Sequence, residues 1–268
     1  MRYTNASPLW RRLHRGVRSL FRPDALRKRH TVHIVRIGKR RFKQVRFAHA
    51  SEAKRVEHNL RQVKSLARFP EFVYRRDSTV WVTFFDGERL DSTRPGHVDG
   101  LIAFFADLYR LRPRLVETAE TGIHDQLLED LSFLGAVGQL SEATVENLTQ
   151  TAGRLMPSRV WVGFEYIDAL RKNFVVIDDR PVGIDIESLH ADQLLGIGIA
   201  KARHRWLELP DESLPARLAA LGAPDLRAQY AYASLSFLAS YAKQDVFRGK
   251  AGRVRSGHFE RLVAQYAG

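Results

Sequence analysis

Apolar residues change their period along the chain, and the changes mark out its elements. From His30 to Phe47 they alternate, with Val32, Ile34 and Ile37 before a Gly38-Lys39 turn and Phe42, Val45 and Phe47 after it. Alternation gives a strand one buried face, so the pattern predicts two antiparallel strands, Thr31 to Ile37 and Arg41 to Phe47. Between Ser51 and Arg68 the period becomes helical: Ala53, Val56, Leu60, Val63 and Leu66 share a stripe, and Ser51 is placed to cap it. Two more strands, Glu71 to Tyr74 and Thr79 to Phe85, flank the polar Arg75-Arg76-Asp77-Ser78. Apolar character then gives way at Phe84-Phe85-Asp86-Gly87, and helices are predicted at Val98 to Leu111, Asp125 to Val137 and Ser141 to Leu155. A strand from Val160 to Tyr166 comes next, and Ala191 to Leu207 and Asp225 to Lys243 have the pattern of buried helices. The expected organisation is an arm over 1–29, a small β-rich lobe over 30–90 and a mainly helical lobe over 91–268.

The most informative stretch is 166–188. Asp168 and Asn173 stand in a polar turn ahead of the apolar run Phe174-Val175-Val176-Ile177. Asp178-Asp179-Arg180-Pro181 then turns the chain back through Val182-Gly183-Ile184 to Asp185. Asp and Pro favour turns, so a β-hairpin is expected. A carboxylate and an amide before its first strand and a second carboxylate after its second can meet at one end. Oxygen ligands gathered there suit Mg²⁺ with nucleotide phosphates. Spacing alone equally allows a loop built by Asp168 and Asn173, with Asp185 capping the next element.

Composition narrows the chemistry. The chain has no cysteine, which excludes disulfides, thiolate metal sites and cysteine nucleophiles. No apolar run approaches the roughly 18 residues of a membrane span, and the N-terminus lacks the apolar core of a secretory signal. A cytoplasmic protein is expected, peripheral on the inner face of the membrane. The net charge is +13, and residues 1–46 hold 15 Lys or Arg against one acid, Asp24. Such an arm on a balanced body points to an anionic partner. Within it, Leu9, Leu13, Val17 and Leu20 recur at helical spacing among arginines. That pattern fits a cationic helix in a membrane interface, or one packing its stripe on its own domain. Nucleic acid is disfavoured, because no aromatic-rich sheet or zinc pattern accompanies the charge. Leu195-Gly196-Ile197-Gly198-Ile199 is not a dinucleotide fingerprint, since no third glycine stands at the required spacing.

The order of elements, together with Tyr166-Ile167-Asp168-Ala169-Leu170-Arg171-Lys172-Asn173-Phe174-Val175-Val176 and Gly183-Ile184-Asp185-Ile186-Glu187, resembles the protein-kinase-like superfamily. The Asp-x-Glu ending is most similar to its small-molecule members, including lipopolysaccharide core sugar kinases. The resemblance implies an α+β, bilobal fold, with a small antiparallel sheet and one helix in the first lobe and a mainly helical second lobe. It further implies an ATP- and Mg²⁺-dependent kinase acting on a hydroxyl of a sugar or glycolipid. By the same resemblance Asp168 would be the catalytic base, and Asn173 and Asp185 would hold Mg²⁺. Lys43 would meet phosphate oxygens, steadied by Glu52 or, as the alternative, Glu57. Phe84 and Phe85 would open the hinge that receives adenine. Two positions depart from the pattern: no Gly-x-Gly-x-x-Gly precedes Lys43, and Tyr166 stands where the family has His. The alternative reading is a catalytically silent kinase-like module that binds a membrane or protein partner through residues 1–46.

Overall fold

The structure, a computed structural model, describes residues 30–209, 213–250 and 256–266. The cationic helix expected within the arm lies outside the described residues.

Strands β1 (Thr31–Ile37) and β2 (Arg40–Arg46) pair antiparallel about a tight turn at Gly38, whose φ of +59° suits a residue without a Cβ. Helix α1 (Ala50–Gln62) is next, then β3 (Phe72–Arg76) and β4 (Thr79–Thr83), giving a four-stranded sheet in the order β1-β2-β4-β3. Ala53, Val56 and Leu60 of α1 and Val45, Val80 and Val82 of the sheet are buried in one core. The expected helix to Arg68 is shorter than its stripe suggests: it ends at Gln62, and a 3-10 turn over Lys64–Leu66 closes at Ala67 with φ +52°. Its N-cap is His49 rather than Ser51, with no side-chain capping bond.

A short β5 (Glu88–Arg89) leads to α2 (Pro95–Tyr109), whose first-turn proline has no N–H to leave unpaired. After β6 (Arg114–Glu117) come α3 (Ile123–Ala136) and α4 (Glu142–Leu155); Ser141 Oγ caps α4 by accepting from the Thr144 N–H at 3.2 Å. Strand β7 (Arg159–Tyr166) precedes the hairpin of β8 (Phe174–Ile177) and β9 (Arg180–Gly183). The chain continues through β10 (Leu189–Leu194), α5 (Ile197–Arg205), α6 (Ser213–Ala220), α7 (Arg227–Phe247) and α8 (Ser256–Tyr266). Two three-stranded sheets result, β10-β7-β6 and β5-β8-β9.

The single helix expected from Ala191 to Leu207 is a strand and then a helix. β10 pairs with β7, Leu189 opposite Tyr166 and Leu194 opposite Val162. Gly196, at φ +105°, breaks the chain before α5 begins. One core runs from the first sheet through α2 to the hairpin, and a second lies among α3, α4, α7 and β7. Among the described residues, no helix is long and apolar enough to cross a membrane.

Candidate functional site

Asp178 and Asp179 have φ of +49° and +57°, so the β8–β9 turn is a two-residue turn with both residues left-handed, as strand twist prefers. Arg180 and Pro181, expected in the turn, instead belong to β9. Pro181 is tolerated because β9 is the edge of its sheet, where a missing N–H breaks no ladder. Behind the hairpin Phe69, Phe104, Tyr166 and Phe174 pack with ring centroids 5.2–5.8 Å apart. This aromatic wall fixes where both ends of the hairpin emerge.

Tyr166, fully buried, gives a physical account of its departure from histidine. Its hydroxyl donates to the Asn173 carbonyl and accepts the Asp185 N–H, each at 3.0 Å. One phenol thus ties the loop before β8 to the segment after β9. Asn173 donates its side-chain amide to the Asp168 carbonyl at 2.7 Å and to Asp168 Oδ2 at 2.8 Å, which leaves its amide oxygen for another partner. Ser188 Oγ donates to Asp185 Oδ2 at 2.7 Å. Asp168, Asn173 and Asp185 are therefore brought to one end of the hairpin.

Lys43 reaches the same place from β2 and donates to the Ile184 carbonyl at 2.7 Å. Neither glutamate of α1 pairs with it. Glu57 turns to Arg75 at 2.5 Å and Arg61 at 3.0 Å, and these partners hold its carboxyl below the usual range. Glu52 acts electrostatically on Arg55. Helix α1 docks through other residues: Arg55 and the buried Asn59 both donate to the Leu189 carbonyl, at 3.0 and 2.9 Å. Glu187 is bridged to His30 at 2.5 Å.

The chemistry of this end fits a divalent cation. Burial, then the neighbouring Glu187, pushes Asp185 up to about 6. Against its own burial, the His30 hydrogen bond and the Lys43 charge hold Glu187 at about 2. The two carboxyls are thus close neighbours, and Glu187 Oε2 is buried without a hydrogen-bond partner. Hard oxygen donors left unpaired in this way are what Mg²⁺ binds. A second group, Glu88, His97 and Asp179, lies within 4.8 Å but does not fit a metal. His97 Nδ1 accepts the Asp91 N–H at 3.0 Å, so the ring proton sits on Nε2, facing Glu88 at 3.2 Å.

Phe84 and Phe85, expected at the hinge, come directly after β4. Phe84 donates its N–H to the Arg41 carbonyl at 3.2 Å, and the Arg41 guanidinium lies 4.7 Å over its ring while pairing with Asp86. At Gly87 a Cβ would meet the Val176 carbonyl at 2.5 Å, so glycine lets this linker press on β8.

Two buried charges here were not anticipated from sequence. Lys201 of α5 pairs with Asp168 Oδ1, and burial, offset by Asp168, lowers its pKa. Glu165, completely buried at the end of β7, accepts from Tyr109 Oη, Tyr166 N–H and Gly196 N–H, each at 2.9 Å. At Gly198 a Cβ would lie 2.4 Å from the Tyr166 carbonyl and 2.5 Å from Glu165 Oε1. Gly198→Ala is expected to lower thermal stability by about 1–3 kcal/mol, measured as a denaturation midpoint, because backbone must shift.

Burial pushes Glu165 up to about 7 against these donors. Its folded-state pKa exceeds the unfolded value, so its stabilising contribution is complete below pH 4.5 and is lost as pH rises through about 7. His190 and His204, lowered to about 4 chiefly by burial, act with the opposite sign over part of that range. The expected effect is therefore differential: wild type loses stability relative to Glu165→Gln between pH 4.5 and 7, by on the order of 3 kcal/mol. Parallel melting profiles for the two proteins would contradict it.

No protein-family profile matches the chain, and no curated protein sequence matches it. Solved structures do. An apo, thermostable mutant of an aminoglycoside phosphotransferase aligns with TM-score 0.64 at 13% identity, over 90% of this chain and 93% of that one. Choline kinase LicA from Streptococcus pneumoniae aligns with TM-score 0.60 at 15% identity, over 97% and 99% of the two chains. A macrolide 2'-phosphotransferase type I aligns with TM-score 0.57 at 14% identity, over 99% of each. The chain has the bilobal α+β protein-kinase-like fold of these small-molecule phosphotransferases.

Proposed function

We propose that the chain is an ATP- and Mg²⁺-dependent phosphotransferase acting on a hydroxyl of a sugar or glycolipid, such as the lipopolysaccharide core, at the cytosolic face of a membrane. The observation that carries the reaction type is the meeting of Lys43, Asp168, Asn173 and Asp185 at one end of the hairpin. Structural neighbours include an aminoglycoside phosphotransferase in ternary complex with ADP and hygromycin B, which supports a nucleotide and a small acceptor sharing the cleft. The charge of residues 1–46 supports an anionic surface.

Asp168 accepts the proton of the acceptor hydroxyl as its oxygen attacks the γ-phosphorus. The bond to the bridging oxygen breaks, and ADP leaves. Asn173 holds Asp168 in place. Lys43 exchanges the Ile184 carbonyl for phosphate oxygens. Asn173, Asp185 and Glu187 would hold Mg²⁺, which when bound neutralises charge on the β- and γ-phosphates. Backbone groups from Phe84 to Gly87 receive the base. Asp168→Asn is expected to lower transfer about 10²–10⁴-fold, while the rise in melting temperature with ATP and Mg²⁺ persists. Transfer at the wild-type rate would remove Asp168 from the chemistry. The silent-module reading draws on Lys43 resting on a carbonyl instead of Glu52, and predicts no Mg²⁺-dependent ATP binding.

A further inference from the structure

The acceptor side of Asp168 is cationic. Lys201 is held there with only 10% of its side chain exposed, its ammonium on Asp168 Oδ1. Four residues further along the same helix face stands Arg205. The Lys201 ammonium lies 5.3 Å, and the Arg205 guanidinium 5.1 Å, from the centroid of one ring, Tyr241 of α7. Both are at cation–π range. Arg248, just past the end of α7, adds a third positive charge near Lys201. Asp168 and the buried Asp245, which pairs with Arg248 at 3.9 Å, are the acids that answer them. Arg205 is exposed and makes no ion pair among the described residues.

Lys201 and Arg205 thus set two cations beside the carboxylate that must receive a hydroxyl, and the exposed Arg205 is placed to meet an anion there. An ammonium-bearing acceptor would meet like charge at the same place. Resting on the phosphotransferase reading, we infer that the acceptor carries an anionic group, a phosphate or a carboxylate, close to its reactive hydroxyl. Arg205 and Lys201 bind that group over the Tyr241 ring.

The test uses the full chain saturated with a non-hydrolysable ATP analogue and Mg²⁺, so that the γ-phosphate position is filled. Inorganic phosphate and D-glucuronate are each titrated calorimetrically at constant ionic strength, with sodium chloride as control. At least one should bind to wild type, and Arg205→Gln should weaken it at least tenfold while the analogue's affinity, read as the measure of an intact fold, changes less than twofold. The tighter probe identifies the group as phosphate or carboxylate. Neither probe binding beyond the chloride control, or equal binding by Arg205→Gln, overturns the inference. If the analogue itself fails to bind, the phosphotransferase reading falls. The titrations are then repeated on the free protein, where the same Arg205 dependence decides the anion site by itself.

Discussion

Asp185→Ala is expected to reduce ATP-dependent transfer on the order of 10³-fold. A divalent cation on transferring phosphates supplies several kcal/mol of transition-state stabilisation, and each 1.36 kcal/mol is about tenfold in rate. The same substitution should leave the melting temperature at pH 7 unchanged or raised. Asp185 is largely buried beside Glu187, and its folded-state pKa of about 6 exceeds its unfolded one, so its ionised form opposes folding at neutral pH. Activity and stability therefore move apart, as expected where a strained charge is kept for function. Steady-state turnover and a melting curve on one preparation check both halves. Retained turnover, or a collapse in stability with it, would contradict a metal-binding role.

Tyr166→Phe should lower stability by about 1–3 kcal/mol, because it takes the partner from the largely enclosed Asp185 N–H, while the Asn173 carbonyl keeps the Ile184 N–H. Activity should fall as well, although the hydroxyl touches no reacting atom. It sets the relative positions of Asn173 and Asp185, which come from opposite ends of the hairpin. Loss of kcat with the acceptor KM nearly unchanged is the expected signature. A purely packing role for the ring would leave kcat intact, since phenylalanine preserves the contacts with Phe69, Phe104 and Phe174.

Much of this site was legible because its chemistry is local in sequence. Asp168, Asn173 and Asp185 bracket two short apolar strands, and pairing those strands forces the three together. Lys43 was named only through the resemblance, since a lysine on a basic strand is ordinarily a surface residue; the structure brings its ammonium to the Ile184 carbonyl. Its expected partner was not legible. Glu52 and Glu57 lie about 140° apart on the helix, so at most one could face the cleft, but only tertiary packing shows Glu57 taken by Arg61 and Arg75 while Asn59 and Arg55 dock the helix.

The missed residues share a signal that was present in the sequence. Lys201 sits in Leu194-Leu195-Gly196-Ile197-Gly198-Ile199-Ala200-Lys201-Ala202, and Glu165 in Val162-Gly163-Phe164-Glu165-Tyr166. A charge inside an apolar run must find a partner or be neutralised, so each marked an interaction whose other half lay far along the chain. Gly196 and Gly198, which form no cofactor fingerprint, have a structural reason instead. One ends β10 in a left-handed turn, and the other lets α5 start against the Tyr166 carbonyl. That close approach is what delivers Lys201 to Asp168.

On the proposed reading, one cleft assembles a nucleotide and a metal on the hairpin between Tyr166 and Ser188. An experimental structure of the full chain with a non-hydrolysable ATP analogue and Mg²⁺ would show whether it does. The metal is expected at about 2.0–2.1 Å from oxygens of Asn173 and Asp185, with Lys43 moved from the Ile184 carbonyl to the phosphates. A nucleotide bound away from Asp185, or a cleft that stays empty at saturating analogue, would contradict it.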